Sequence, residues 1–305
     1  MLHVELTNYC NLKCPICPRS KMKRPISYID LKLIDKIISE SKGKTELATL
    51  HAWGESILHP QFDTIIKKFK NNGIKTQLST NGSFLDERRT ILLLESGLDF
   101  LICSLDAINE ETYNKQRCGG DYCKITGNIE RLLALAKLTK SKTFIVLQLV
   151  YTNLNKDEVD HFREKWKNKG AHIWLKPYST WNGEDEGMND LYVGDQILFK
   201  ENLCDWPWRQ MVIHANGNVV ACCNDYDGKE VLGNISQNSI DEIWNGEKMK
   251  SFRSLHIKGR DSIAFCKSCD YMSLGTIKQS VFVAFDYLKS LKVQTFVENY
   301  YKCAI

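Results

Sequence analysis

Apolar residues recur along this chain with two interleaved periods. Short runs at residues 2–6, 47–52, 74–79, 100–105, 144–151 and 172–176 are rich in Leu, Ile, Val and Phe and read as strands. Between them, segments 31–39, 62–69, 85–95, 129–138 and 158–167 carry apolar residues three and four apart, the spacing of a helix with one buried face. Gly73, Gly97 and Gly170 follow three of these segments, where a helix end favours a residue that tolerates positive φ. Strands alternating with helices predict an α/β fold on a parallel sheet, a partial (β/α)6 barrel occupying residues 1–180.

The alternation ends in an acidic, glycine-bearing stretch at 182–190, read as part of a linker over 181–203. A different pattern follows, a small unit over 204–275. Residues 209–215 and 219–223 flank Asn216-Gly217 and predict a hairpin with a tight turn, because Asn-Gly supplies positive φ readily. Ser239 with Glu242 forms a capping-box pattern and predicts a short helix. The tail, 276–305, holds Phe282, Phe285, Tyr287, Leu288, Leu291 and Phe296 at roughly helical spacing, which predicts packing on the body.

Composition narrows the class. At 305 residues, with 43% hydrophobic and 26% charged residues, the chain can bury a substantial core as a soluble globular protein. A formal charge of +4 gives no ground for a nucleic-acid partner, and the basic run 19–24 reads as a solvated loop. Strand-like residues at the start leave no room for a signal peptide, and no apolar run is long enough to span a bilayer, so a cytoplasmic protein without membrane contact is expected. In that reducing setting, twelve cysteines point to metal ligation rather than disulfides.

Candidate chemistry begins at Cys10, Cys14 and Cys17, in a C-x3-C-x2-C loop directly after the first strand. Three thiolates hold three irons of a four-iron cluster and leave one open to substrate. A structural zinc site is closed by four ligands, and no second Cys/His pair lies nearby. In a parallel β/α fold the active site lies at the C-terminal ends of the strands. Trp53-Gly54-Glu55-Ser56, Ser79-Thr80-Asn81-Gly82 and Ser104-Leu105-Asp106 end strands two, three and four, on the same rim as the cysteine loop.

These motifs in this order resemble the radical S-adenosylmethionine (SAM) superfamily. The resemblance implies reductive cleavage of SAM to a 5'-deoxyadenosyl radical, with Cys10, Cys14 and Cys17 holding the SAM-binding 4Fe-4S cluster and an external reductant such as flavodoxin or ferredoxin. It implies that Gly54 and Glu55 correspond to the Gly-Gly-Glu-Pro segment that holds the methionyl amino group, although Trp53 and Ser56 depart from that pattern. By the same resemblance, Ile16 touches adenine, Arg117 pairs with the SAM carboxylate, and Ser79, Asn81, Ser104 and Asp106 are candidates for ribose and nearby polar groups.

Cys204, Cys222, Cys266 and Cys269 form a second constellation, and spacing alone suits zinc as well as iron-sulfur. Gly217 to Cys222, then Leu232-Gly233-Asn234-Ile235 and the closing C-x2-C pair, resemble the SPASM/twitch extension of radical SAM proteins, which implies one auxiliary 4Fe-4S cluster with four cysteine ligands. The segment is similar to that of superfamily dehydrogenases that oxidise a secondary alcohol of an aminocyclitol. Those use an arginine base after the last barrel strand; residues 176–187 contain none, which leaves Lys176 or Tyr178. An alternative expectation is epimerisation of a sugar or peptide, with Cys223 returning a hydrogen atom from the side opposite Cys222. A non-catalytic iron-sulfur or zinc protein is the reading of another class, and it leaves the strand-end motifs unexplained. Cys103 is expected to face the helix layer, and no role falls to Cys118, Cys123 or Cys303.

Overall fold

The computed structural model describes residues 1–181, 190–193 and 204–270. In chain order the first part runs β1 (Leu2–Val4), α1 (Leu31–Ser41), β2 (Leu47–Thr49), α2 (Phe62–Asn71), β3 (Lys75–Thr80), α3 (Glu87–Glu95), β4 (Phe100–Ser104), α4 (Glu110–Gln116), α5 (Tyr122–Leu138), β5 (Phe144–Tyr151), α6 (Val159–Lys167) and β6 (His172–Pro177). The second part runs α7 (Trp206–Arg209), β7 (Met211–Ile213), β8 (Asn218–Val220), β9 (Val231–Asn234), α8 (Ile240–Trp244) and α9 (Glu247–Lys258). The predicted tail, most of the linker and Cys303 lie outside the described residues.

Strands β1 to β6 pair in parallel, each with its sequence neighbour, as the partial (β/α)6 arrangement requires. The hairpin then joins the same sheet: β7 pairs in parallel with β1, and β8 and β9 follow antiparallel, so one nine-stranded sheet runs β6-β5-β4-β3-β2-β1-β7-β8-β9. Strand alternation divides the faces. Leu2, Val4, Leu50, Leu78, Leu101 and Cys103 pack beneath the helices, as expected for Cys103. His3, Gln77, Ser79, Ser104, Gln148 and Lys176 face an inner cavity.

Three local expectations need correction. The β7–β8 connection spans residues 214–217, with only Gly217 at positive φ (84°), so the turn is longer than a two-residue Asn-Gly hairpin. Helix α4 was not expected, since its sequence is mostly polar; Asn109 caps it through the Thr112 amide. The basic run is solvated only in part, at Ser20, Lys21 and Lys23. Arg24 forms a buried ion pair with Glu5 at 2.5 Å, and Arg19 donates to the Leu12 carbonyl.

Candidate active site

The cysteine loop leaves β1 and is pinned from three sides. Lys13 N–H donates to the Cys118 carbonyl, Arg19 to that of Leu12, and Asn81 Nδ2 to Asn11 Oδ1 at 3.0 Å and Cys10 Sγ at 3.7 Å. Asn81 Oδ1 accepts from Ser83 N–H, so its side chain is committed to the loop. Asn81 also borders the cavity that the loop thiols line. All three loop thiols line a cavity of about 470 Å³, within the range that holds a small ligand. Burial raises the proton affinity of all three, Cys14 to about 12, so the thiolate form needs a metal to stabilise it.

Gly54 has φ of 91°, and a Cβ there would lie 2.4 Å from the Thr7 carbonyl oxygen. The close approach is therefore to the chain's own loop entry. Glu55 is buried beside it; its carboxylate accepts from Asn81 N–H at 2.7 Å and Ile57 N–H at 3.3 Å. Burial raises its pKa while these donors and Arg117 act against the rise. Those bonds leave lone-pair capacity on a carboxylate that borders the cavity.

Asp106, a candidate for ribose and nearby polar groups, does not line the cavity and is turned inward onto Arg117. It is fully buried at φ 64°, accepts from Val150 N–H at 2.7 Å, and takes Nε and one Nη of Arg117 at 2.7 and 2.5 Å. Burial weakens the Arg117 charge, but Asp106 and Cys14 outweigh it and hold the guanidinium protonated. Asp106 thus aims a cation at the cavity that the cysteine loop borders. Ile16, Ser79 and Ser104 also line it, and Ser104 Oγ accepts from Gln148 Nε2 at 3.2 Å.

Sequence reasoning missed the aromatic and imidazole walls. Trp53 packs edge-on to Trp181 at 4.9 Å, and Trp181 Nε1 donates to the Ile16 carbonyl at 2.8 Å. His3 Nε2, His51 Nδ1 and Trp53 Nε1 are buried without a hydrogen-bond partner among the described residues, and all three side chains border the cavity. Burial lowers the pKa of His3 to about 4; burial, then the charges of His3 and Lys176, lower His51 to about 3. A polar residue on the inward face of β1, between Leu2 and Val4, was the available signal for His3. Lys176 Nζ lies 5.7 Å from the Trp181 ring, and burial lowers its pKa against the pull of Cys223 and Asp106. Cys223 borders the same cavity.

Behind Cys223 lies a second, smaller cavity lined by Cys204, Cys222, Cys266 and Cys269. Cys222 and Cys223 touch through their side chains, which with burial raises the Cys222 pKa. Burial also raises Cys266, and Cys204 to about 12. Among the described residues no three His, Cys, Asp or Glu side chains converge closely enough to hold one metal ion. Three thiols border one cavity and four border the other, donor sets of the size that a multi-iron cluster uses. The trio, Glu55, Arg117 and the unpartnered polar atoms likewise fit a cluster with a zwitterionic, nucleoside-bearing ligand on its open side.

The radical SAM superfamily model matches residues 4–165, and the model of SPASM, an iron-sulfur cluster-binding domain, matches 204–270. The chain is 26% identical over 296 residues to an S-adenosyl-L-methionine-dependent 2-deoxy-scyllo-inosamine dehydrogenase of Niallia circulans, covering 93% of this chain and 97% of that protein. It is 24% identical to a tungsten-containing aldehyde ferredoxin oxidoreductase cofactor-modifying protein of Pyrococcus furiosus, covering 83% and 82%. In fold it is similar to BtrN in complex with AdoMet and 2-DOIA, with TM-score 0.64, 24% identity, and 92% and 96% of the two chains covered. Native anSMEcpe with bound AdoMet is similar with TM-score 0.66, 18% identity, and 95% and 99% covered.

Proposed function

Because the chain belongs to the radical SAM superfamily, we propose that it is an oxidoreductase that converts a secondary alcohol of a sugar or aminocyclitol to the carbonyl. The radical SAM domain binds SAM and a 4Fe-4S cluster, and the SPASM domain binds auxiliary iron-sulfur clusters. When bound, these groups supply a radical that takes hydrogen from carbon and an acceptor for the electron left behind. Cys10, Cys14 and Cys17 hold the first cluster; Cys204, Cys222, Cys266 and Cys269 hold the second. Glu55 takes the ammonium of SAM, Arg117 its carboxylate, Ile16 its adenine, and Ser79 and Ser104 the polar groups between. Lys176 accepts the hydroxyl proton, since burial and the nearby Arg117 charge both disfavour its protonated form.

One observation carries this reading: a single cavity is bordered by the thiol trio, Lys176 and Cys223, and the four-thiol pocket begins one residue behind it. Similarity along nearly the whole length of the Niallia circulans dehydrogenase supports the alcohol as substrate class. Trp53 and Trp181 supply apolar faces to cover a ring, and the walls between offer hydrogen bonds to hydroxyl groups. Anaerobic reconstitution should give iron for two 4Fe-4S clusters, and strong reductant should release 5'-deoxyadenosine, faster with 2-deoxy-scyllo-inosamine or a related cyclitol. Zinc in place of iron, or no nucleoside under any condition, would sink the class assignment. Reductant in the cell is expected from a small flavodoxin- or ferredoxin-type carrier.

The position of Cys223 on the cavity wall favours one second reading, hydrogen-atom return in an epimerisation. With a turned-over substrate, Cys223→Ala should leave an oxidation intact and abolish an epimerisation. Product analysis in deuterated water reads the difference.

A further inference from the structure

We propose that His256 and Arg260 raise the reduction potential of the auxiliary cluster, so that it accepts the electron left on the substrate. The inference rests on Cys204, Cys222, Cys266 and Cys269 being its ligands. His256 stands in the last turn of α9, 2% exposed, with Nε2 3.9 Å from Cys266 Sγ. The Phe252 ring at 4.6 Å and the edge of Trp208 at 6.1 Å fix the plane of its imidazole. Arg260, 4% exposed, follows Gly259, whose φ of 124° turns the chain back after α9. Both side chains line the pocket of the four thiols.

A cubane with four thiolate ligands is an anion, and reduction adds a further negative charge. A hydrogen bond to a ligand sulfur and a buried cation close by favour the more negative state, which moves the potential upward. With Cys266 on iron its sulfur can only accept, so Nε2 carries the hydrogen and the 3.4 Å contact of Nδ1 with the Phe252 carbonyl is given up. Three acids act in the other direction, and each is partly neutralised. Asp205 near Cys204 is paired with Arg209, Asp225 near Cys222 accepts from the amides of Lys229 and Glu230, and Asp270 beside Cys269 accepts from Ser179, Thr180 and Tyr192. In the step served, one electron passes from the hydroxyl-bearing carbon radical to the cluster while the hydroxyl proton goes to the cavity base. The product is then a closed-shell carbonyl.

The test is an anaerobic redox titration of the reconstituted full-length protein, followed by electron paramagnetic resonance. A Cys10→Ala, Cys14→Ala, Cys17→Ala form identifies the auxiliary signal. His256→Leu and Arg260→Gln should each lower the equilibrium constant for reduction about tenfold, which is about 59 mV for one electron. His256→Gln, which keeps an N–H donor, and Arg260→Lys, which keeps the charge, should stay near wild type. Unchanged potentials in the first two, or equal falls within either pair, would overturn the proposal. If His256→Leu fails to retain iron, the Arg260 pair decides. Loss of all auxiliary signal from the wild type would overturn the ligand assignment itself, an outcome distinct from a wild-type signal that no variant moves.

Discussion

A methyl group on residue 54 would stand 2.4 Å from one carbonyl oxygen and 2.7 Å from another, at a backbone angle that L residues rarely adopt. Gly54→Ala is therefore expected to cost about 2–4 kcal/mol. The loss should appear as a lower thermal midpoint together with poor iron uptake at the cysteine loop. His3, His51 and His214 make a second residue-scale prediction, because burial lowers their pKa to about 4, 3 and 3. The unfolded chain binds protons at these histidines near pH 6.5, while the folded chain resists doing so. Their contribution is full above pH 6.5 and is lost as pH falls toward about 4 for His3 and about 3 for His51 and His214, by up to about 1.4 kcal/mol per pH unit for each. Urea midpoints measured between pH 7 and 5 should fall, and His51→Gln should make the decline shallower. Spacing and strand order singled out the cysteines and Glu55, and the superfamily resemblance singled out Arg117. Nothing in the sequence distinguished a cavity-facing Asp106 from one turned inward to hold Arg117, because that depends on a positive φ and on the Val150 amide of a distant strand.

Elements were legible where one face is buried and their ends are marked. Helix α2 ends at Asn71, and Gly73 then adopts φ of 75° while Ile74 N–H bonds back to the Phe69 carbonyl. Helix α5 begins at Tyr122, ahead of its apolar stripe, because Asp121 caps it through Lys124 N–H. The contact that no local pattern could foretell is Asp270, one residue past Cys269. Its carboxylate accepts from Ser179 Oγ at 2.8 Å, Thr180 N–H at 2.6 Å and the Tyr192 hydroxyl. It joins the segment after β6 to the closing cysteine pair. Asp270→Ala leaves those donors unsatisfied and should cost about 1–3 kcal/mol. The check is the rate of iron loss to a chelator, which should rise at the auxiliary site before the protein unfolds.

At the scale of the molecule, the hairpin is part of the barrel sheet. Strand β1 is flanked by β2 on one side and β7 on the other, and Glu5 accepts from Ala215 N–H at 3.0 Å while holding Arg24. A chain cut after residue 181 would expose the β1 edge and strand a buried ion pair without its third partner. Such a fragment is expected to be insoluble, or soluble only as aggregates by size-exclusion chromatography; a monomeric, folded fragment would contradict this account. The same continuity sets Cys222 and Cys223 side by side, one thiol on the small pocket and its neighbour on the large one. With Cys222 on the cluster, a single peptide link spans the wall between fuel and sink. For a substrate held in the large cavity, the path of an electron to that cluster would cross little more than this one link.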